Sequence, residues 1–192
     1  MIRKYFIIFY LGPFTLLNPS PAFSSTPNLE PKVATLMKKL AWRTINNGSG
    51  LILQPPKQRD RRQVLKELLR IAKKSPNGRA AVIKGMIQVL EDPGSRDGIF
   101  AYRWLTAVFL LGKLKAIEGT DALVRNLDFK GQNGIVLSIN IRPASDALIK
   151  IGRPAIPKLK SALSDSNAEI RSEAAGALSV IEEEEKRKQK GR

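Results

Sequence analysis

Cysteine and histidine are both missing from the 192 residues. Without cysteine there are no disulfides and no thiolate metal sites. Without histidine there are no imidazole ligands and no triad that depends on a histidine base. Carboxylates and lysines remain, but no recognisable spacing arranges them. The sequence therefore assigns no catalytic residue, no metal ligand and no cofactor, and an enzyme is not the expectation. Acidic residues are scarce too: 17 Asp and Glu stand against 33 Lys and Arg, a formal net charge of +16. Long apolar runs are equally rare. The run over residues 5–17 is too short to cross a hydrocarbon layer of about 30 Å at about 1.5 Å per helical residue.

That short run has another use. Arg3 and Lys4 precede it, and Ala22 and Ser24 follow at small-x-small spacing, the pattern of an export signal cut between Ser24 and Ser25. An uncleaved anchor is the alternative, and Gly12-Pro13 inside the run counts against it. No cysteine follows, so a lipoprotein anchor is excluded. Cleavage would remove Arg3 and Lys4 and no acidic residue, taking the charge from +16 to +14. Such a basic protein favours anionic partners: acidic proteins, acidic lipid headgroups, envelope polymers or nucleic acid. A periplasmic or secreted location makes nucleic acid the least favoured of these.

What remains is one sizeable domain of ordinary globular composition, 43% hydrophobic and 26% charged. Its clearest stretch is residues 153–181. Pro154 and Pro157 suit a first helical turn, and Ile156, Leu159 and Leu163 follow at helical spacing. Asp165, Ser166 and Asn167 close that helix and cap the next, whose stripe is Ile170, Ala174, Ala177, Leu178 and Ile181. One such pair cannot bury its stripe alone and must stack on neighbours.

This stretch resembles a HEAT repeat, and its run EAAGALSVI is most similar to the HEAT-like repeats of the phycobilin lyase type. The resemblance implies a short right-handed α-solenoid of stacked antiparallel helix pairs, an all-α fold. It also implies a structural ladder between successive repeats from an Asp and an Arg six positions apart. Asp165 and Arg171 have that spacing, and Asp97 and Arg103 repeat it one module earlier.

Earlier segments fit the same scheme. Residues 25–31 form a flexible lead and 32–79 N-terminal helices, the first over 32–45 and another capped by Asp60. A loop over 46–56 holds a brief apolar stretch, and Ser75-Pro76-Asn77-Gly78 ends the second helix. Three repeats then occupy 80–185, with Leu90, Leu127 and Leu163 superposed on successive outer helices. The second repeat inserts an apolar segment between Phe129 and Arg142, and Val136 stands where the ladder Asp would be. This insertion either covers core or forms part of a binding surface. Residues 186–192 form a basic tail, and Glu182, Glu183 and Glu184 are spaced to pair with Lys186, Arg187 and Lys188 along a helix.

Two surfaces are candidates for function. The inner helix over 99–114 is apolar on nearly every side, and if no internal segment covers it, Trp104, Leu105 and Val108 border a groove for a partner. Arg62, Lys66, Arg70 and Lys73 share one helical face, a positive stripe that is either solvated or docks on an anionic surface. The expected function is an exported, non-enzymatic interaction scaffold whose partner is another protein, or an anionic lipid or envelope polymer. The alternatives are a lyase or enzyme accessory of the phycobilin lyase type, which the repeat resemblance alone implies, and a nucleic-acid-binding solenoid if the chain stays inside the cell.

Overall fold

The computed structural model describes residues 31–40, 43–46, 51–54, 56–92, 101–129 and 142–191. The export segment, Asp97 and the insertion at 130–141 lie outside them. Helix α1 (Pro31–Lys38) buries Val33, Leu36 and Met37 and then stops, short of the helix expected over 32–45. Residues Arg43–Asn46 form β1, paired antiparallel with β2 (Leu51–Gln54) so that Ile45 stands opposite Ile52. The cause is local. Thr44 and Ile45 are β-branched, and Asn47-Gly48-Ser49-Gly50 has turn-forming composition, so the ribbon outcompetes another turn of helix. The other regular elements among the described residues are helices, and the expected loop over 46–56 contains one strand of this ribbon.

Helix α2 (Gln58–Lys74) buries Val64, Leu68, Ile71 and Ala72 along one side. Asp60 lies inside its first turn, where an acid suits the helix dipole, and not at the cap. The stop at Ser75 to Gly78 proves to be a start as well. Helix α3 (Pro76–Glu91) begins with Pro76 in its first turn, and the Ser75 hydroxyl accepts from the Gly78 N–H at 3.0 Å. The boundary expected between residues 79 and 80 therefore falls within a helix. Gly78 is needed there because a Cβ would meet the Ile71 carbonyl oxygen at 2.5 Å.

The remaining elements are α4 (Ala101–Lys113), a 3-10 turn (Ile117–Gly119), α5 (Thr120–Val124), α6 (Pro143–Ile151), a second 3-10 turn (Arg153–Ala155), α7 (Ile156–Ala162) and α8 (Ala168–Lys190). Packing follows chain order: α2 lies on α3, α3 on α4, α4 on α6, α6 on α8, and α7 on α8. One buried stripe recurs through the series. Trp104, Ala107, Val108 and Leu111 of α4 have counterparts in Ala144, Ala147, Leu148 and Ile151 of α6, and in Ala174, Ala177, Leu178 and Ile181 of α8.

That recurrence corrects the alignment of Arg103 on Arg171. Their spacing from Asp is the same, but in burial Trp104 corresponds to Ala174 and not to Ser172. Two positions are about 200° of helical rotation, enough to exchange the buried face for the exposed one. Arg103 is itself buried, and burial pushes its guanidinium pKa down against the opposing pull of Asp92. Arg171 is partly exposed and donates to the backbone carbonyls of Asp165 and Ser166 at 2.7 and 2.9 Å, not to the Asp165 carboxylate. Asp165 Oδ1 instead accepts from the Asn167 N–H at 2.8 Å, and Asn167 caps α8 through the Glu169 N–H. The pair thus holds one turn together.

Links between helices come from other residues. Arg125 meets Glu91 at 2.9 Å, and Lys158 meets Asp121 at 2.8 Å. Asn126 Nδ2 donates to the Leu90 carbonyl at 3.3 Å, across 36 positions. Arg142, just before α6, pairs at 3.1 Å with Glu173 of α8, which is only 2% exposed. Leu163 departs from its expected equivalents: Leu90 and Leu127 are buried, but Leu163, just after α7, is 40% exposed. At the C-terminus Glu183 and Arg187 pair at 2.8 Å as spaced, whereas Lys188 takes Glu185 at 2.8 Å. The expected basic tail is thereby helical as far as Lys190.

Candidate functional site

Trp104 does not face a groove. It is completely buried, its indole N–H donates to Asn126 Oδ1 at 2.9 Å, and its ring lies 4.4 Å from that of Phe129 at 60°. Asn126 is the residue that makes this burial affordable, because its amide also donates to the carbonyls of Leu90 and Ala122. A buried tryptophan needs an acceptor for its N–H. The sequence reading passed over Asn126, although a lone amide between Val124 and Leu127 in an apolar segment was the available sign.

A groove does exist, one face further round the same helix. Its floor is Leu105, Val108, Phe109 and Gly112 of α4, and its walls are α2 and α6; its volume is about 450 Å³. These positions recur three and four apart, so they share a side about a third of a turn from the one Trp104 occupies. Val108 lies at the boundary and is buried, Leu105 is half-buried, and Phe109 is 44% exposed. Of the three residues expected to border a partner site, Leu105 and Val108 line this groove and Trp104 does not.

Close helix contact sets the depth. A Cβ on Gly112 would stand 2.9 Å from the Cα of Ala147, so α4 and α6 can approach there only because both residues are small. Leu65 and Ala147 continue the apolar lining onto the two walls. Charge enters above them. Arg61 and Arg62 stand on the α2 wall with Gln58, and Lys150 and Asp146 on the α6 wall with Pro143. The Lys150 Nζ sits 6.0 Å from the centre of the Phe109 ring, at the outer limit of a cation–π contact. Among the described residues neither Arg62 nor Lys150 is in an ion pair.

The positive stripe has mixed surroundings. Arg62, Lys66, Arg70 and Lys73 are all exposed, but Arg70 is bound to Glu67 at 3.0 Å. Arg62 belongs to the groove wall. Arg70, Lys74 and Lys32 border a second hollow of about 400 Å³ beside the α2–α3 junction. Among the described residues no group of three or more Asp or Glu is placed to hold a metal ion, and no helix is long and apolar enough to cross a membrane. No protein-family model matches the chain, and no curated protein or solved structure matches it.

Proposed function

We propose that the protein is an exported scaffold, a short right-handed α-solenoid of HEAT-like helix pairs that binds another protein through the groove over α4. The recurring stripe at Trp104, Ala144 and Ala174, and links such as Asn126 to Leu90 at the length of one module, support the repeat reading. The basic start, apolar run and small-x-small site support export. One observation carries the binding reading: a large aromatic side chain, Phe109, is 44% exposed in the floor of an apolar groove. Aromatic anchors in such settings are frequent hot spots of protein interfaces.

A photo-cross-linking amino acid at position 109, with one at Val180 as control, tests this in the native cells. Val180 is 40% exposed, but on α8 outside the groove. A discrete protein adduct from position 109 and not from 180 is the expected result. Equal labelling from both positions, or none from 109, would remove the groove as the partner site. N-terminal sequencing of the recovered protein tests export separately, with a start near Ser25 expected and an intact Met1 counting against it. The exposed Arg62, Lys66 and Lys73 favour a second, auxiliary reading, attachment to an anionic lipid or envelope polymer. Binding to anionic vesicles that survives Lys66→Glu with Lys73→Glu would dismiss it.

A further inference from the structure

The floor and the walls of the groove differ in chemistry, and the difference specifies an occupant. The floor is apolar across Leu105, Val108 and Phe109, while Arg62 stands on one wall and Lys150 on the other. Arg61 adds a third cation beside Arg62, and Asp146 is the acidic residue of the lining. Cations thus bracket an apolar strip.

We infer that the groove takes an extended segment of a partner protein with two acidic residues and a large apolar side chain between them. One carboxylate meets Arg62 and the other Lys150, and the apolar side chain lies on Phe109 and Leu105. This rests on the groove being the partner site and names what that site selects.

Other occupants match less of the surface. The chain's own apolar segments could cover Phe109, but residues 43–59 and 130–145 contain no Asp or Glu, so neither answers both walls. A single-headed amphiphile such as a fatty acid brings one carboxylate and leaves the opposite cation facing an acyl chain. A polyanion answers the walls and leaves the aromatic floor without an apolar partner.

The test is a display library of random decapeptides selected on the whole protein, with each recovered peptide synthesised, labelled with fluorescein and titrated by anisotropy. Enrichment of paired Asp or Glu flanking Leu, Phe, Ile or Trp is expected. Affinity should fall at least tenfold for Lys150→Glu and for Phe109→Ser, fall steeply with salt, and change less than twofold for Lys84→Glu, an exposed position on α3 outside the groove. The substituted side chains are exposed, and thermal unfolding followed by circular dichroism checks that each variant stays folded. A peptide with its acids changed to lysine should bind the Arg62→Glu, Lys150→Glu double variant better than it binds the wild type, a reversal no loss of structure produces.

The inference is overturned if no peptide is enriched, if enriched peptides lack acids, or if they bind the groove variants as tightly as the wild type. It is also overturned if oleate or anionic vesicles displace the peptides by binding more tightly. A protein adduct at position 109 together with neutral peptides from the library would remove this inference and keep the proposed function. Acidic peptides without any adduct in cells would remove the proposed partner site, and this inference with it, even though the groove selects acidic peptides.

Discussion

Helix α4 has two apolar faces, and the protein treats them differently. On one, Trp104, Ala107 and Leu111 are fully buried, with Asn126 and Phe129 closing over the indole. On the other, a third of a turn away, Leu105 is half-buried and Phe109 is 44% exposed. Residues 101–113 carry leucine, valine and aromatic side chains on both faces, so composition does not tell the two apart. Neighbours do. The turn after α5 supplies a polar partner and a ring to the first face, Asn126 and Phe129, whereas α2 and α6 flank the second without covering it. An apolar arc wider than one neighbour can seal is where a surface for another molecule arises.

The sharpest way to break this comparison is to truncate both rings. Trp104→Ala is expected to lower unfolding stability by about 3–5 kcal/mol in a urea titration, and Phe109→Ala by less than about 1 kcal/mol. Equal losses would mean that the two faces are equally buried in solution. Gly112→Leu comes next. The added side chain has no room against Ala147, and a loss of about 1–3 kcal/mol is expected, together with weaker peptide binding as α4 and α6 separate.

A similar contrast divides the ion pairs. Arg142→Ala leaves Glu173, only 2% exposed, without its cation, and about 1–3 kcal/mol should be lost. Arg187→Ala removes the partner of an exposed glutamate and should change stability by less than about 0.5 kcal/mol. Comparable effects would show that Glu173 is hydrated in solution. Smallest in stability is Lys150→Glu, expected within about 0.5 kcal/mol of the wild type because the side chain is exposed and in no ion pair among the described residues. Its effect belongs to binding.

Much of the body was legible in advance because helical spacing is a local property. Ile170, Ala174, Ala177, Leu178 and Ile181 form the buried side of α8 as their spacing requires, and Asn167 caps it. The errors arose where local signals competed or pointed outward. Thr44 and Ile45 carried both a helical phase and a β preference, and the ribbon prevailed. Ser75 and Pro76 signal a helix stop and a helix start with the same residues, and both occur. Arg103 and Arg171 share a spacing from Asp that holds in one dimension only, since their helices present them at different rotations. For the groove, Leu105 and Val108 were legible as surplus apolar residues. Phe109 was not singled out, because only the placement of α2 and α6 shows which side stays open.

The sequence alone determined that this chain is helical over most of its length, basic, and free of thiol and imidazole chemistry, because those properties follow from residue type and from spacing along one helix. It also marked α4 as having more apolar surface than one partner helix could cover. Tertiary structure alone decided that Trp104 belongs to the core through Asn126, that Glu173 finds its cation in Arg142, and that Arg62 and Lys150 line one groove with Phe109. Each of these joins residues more than 20 positions apart, and such a pairing depends on how helices rotate and dock, a choice set by the packing of all of them together and written in no single segment.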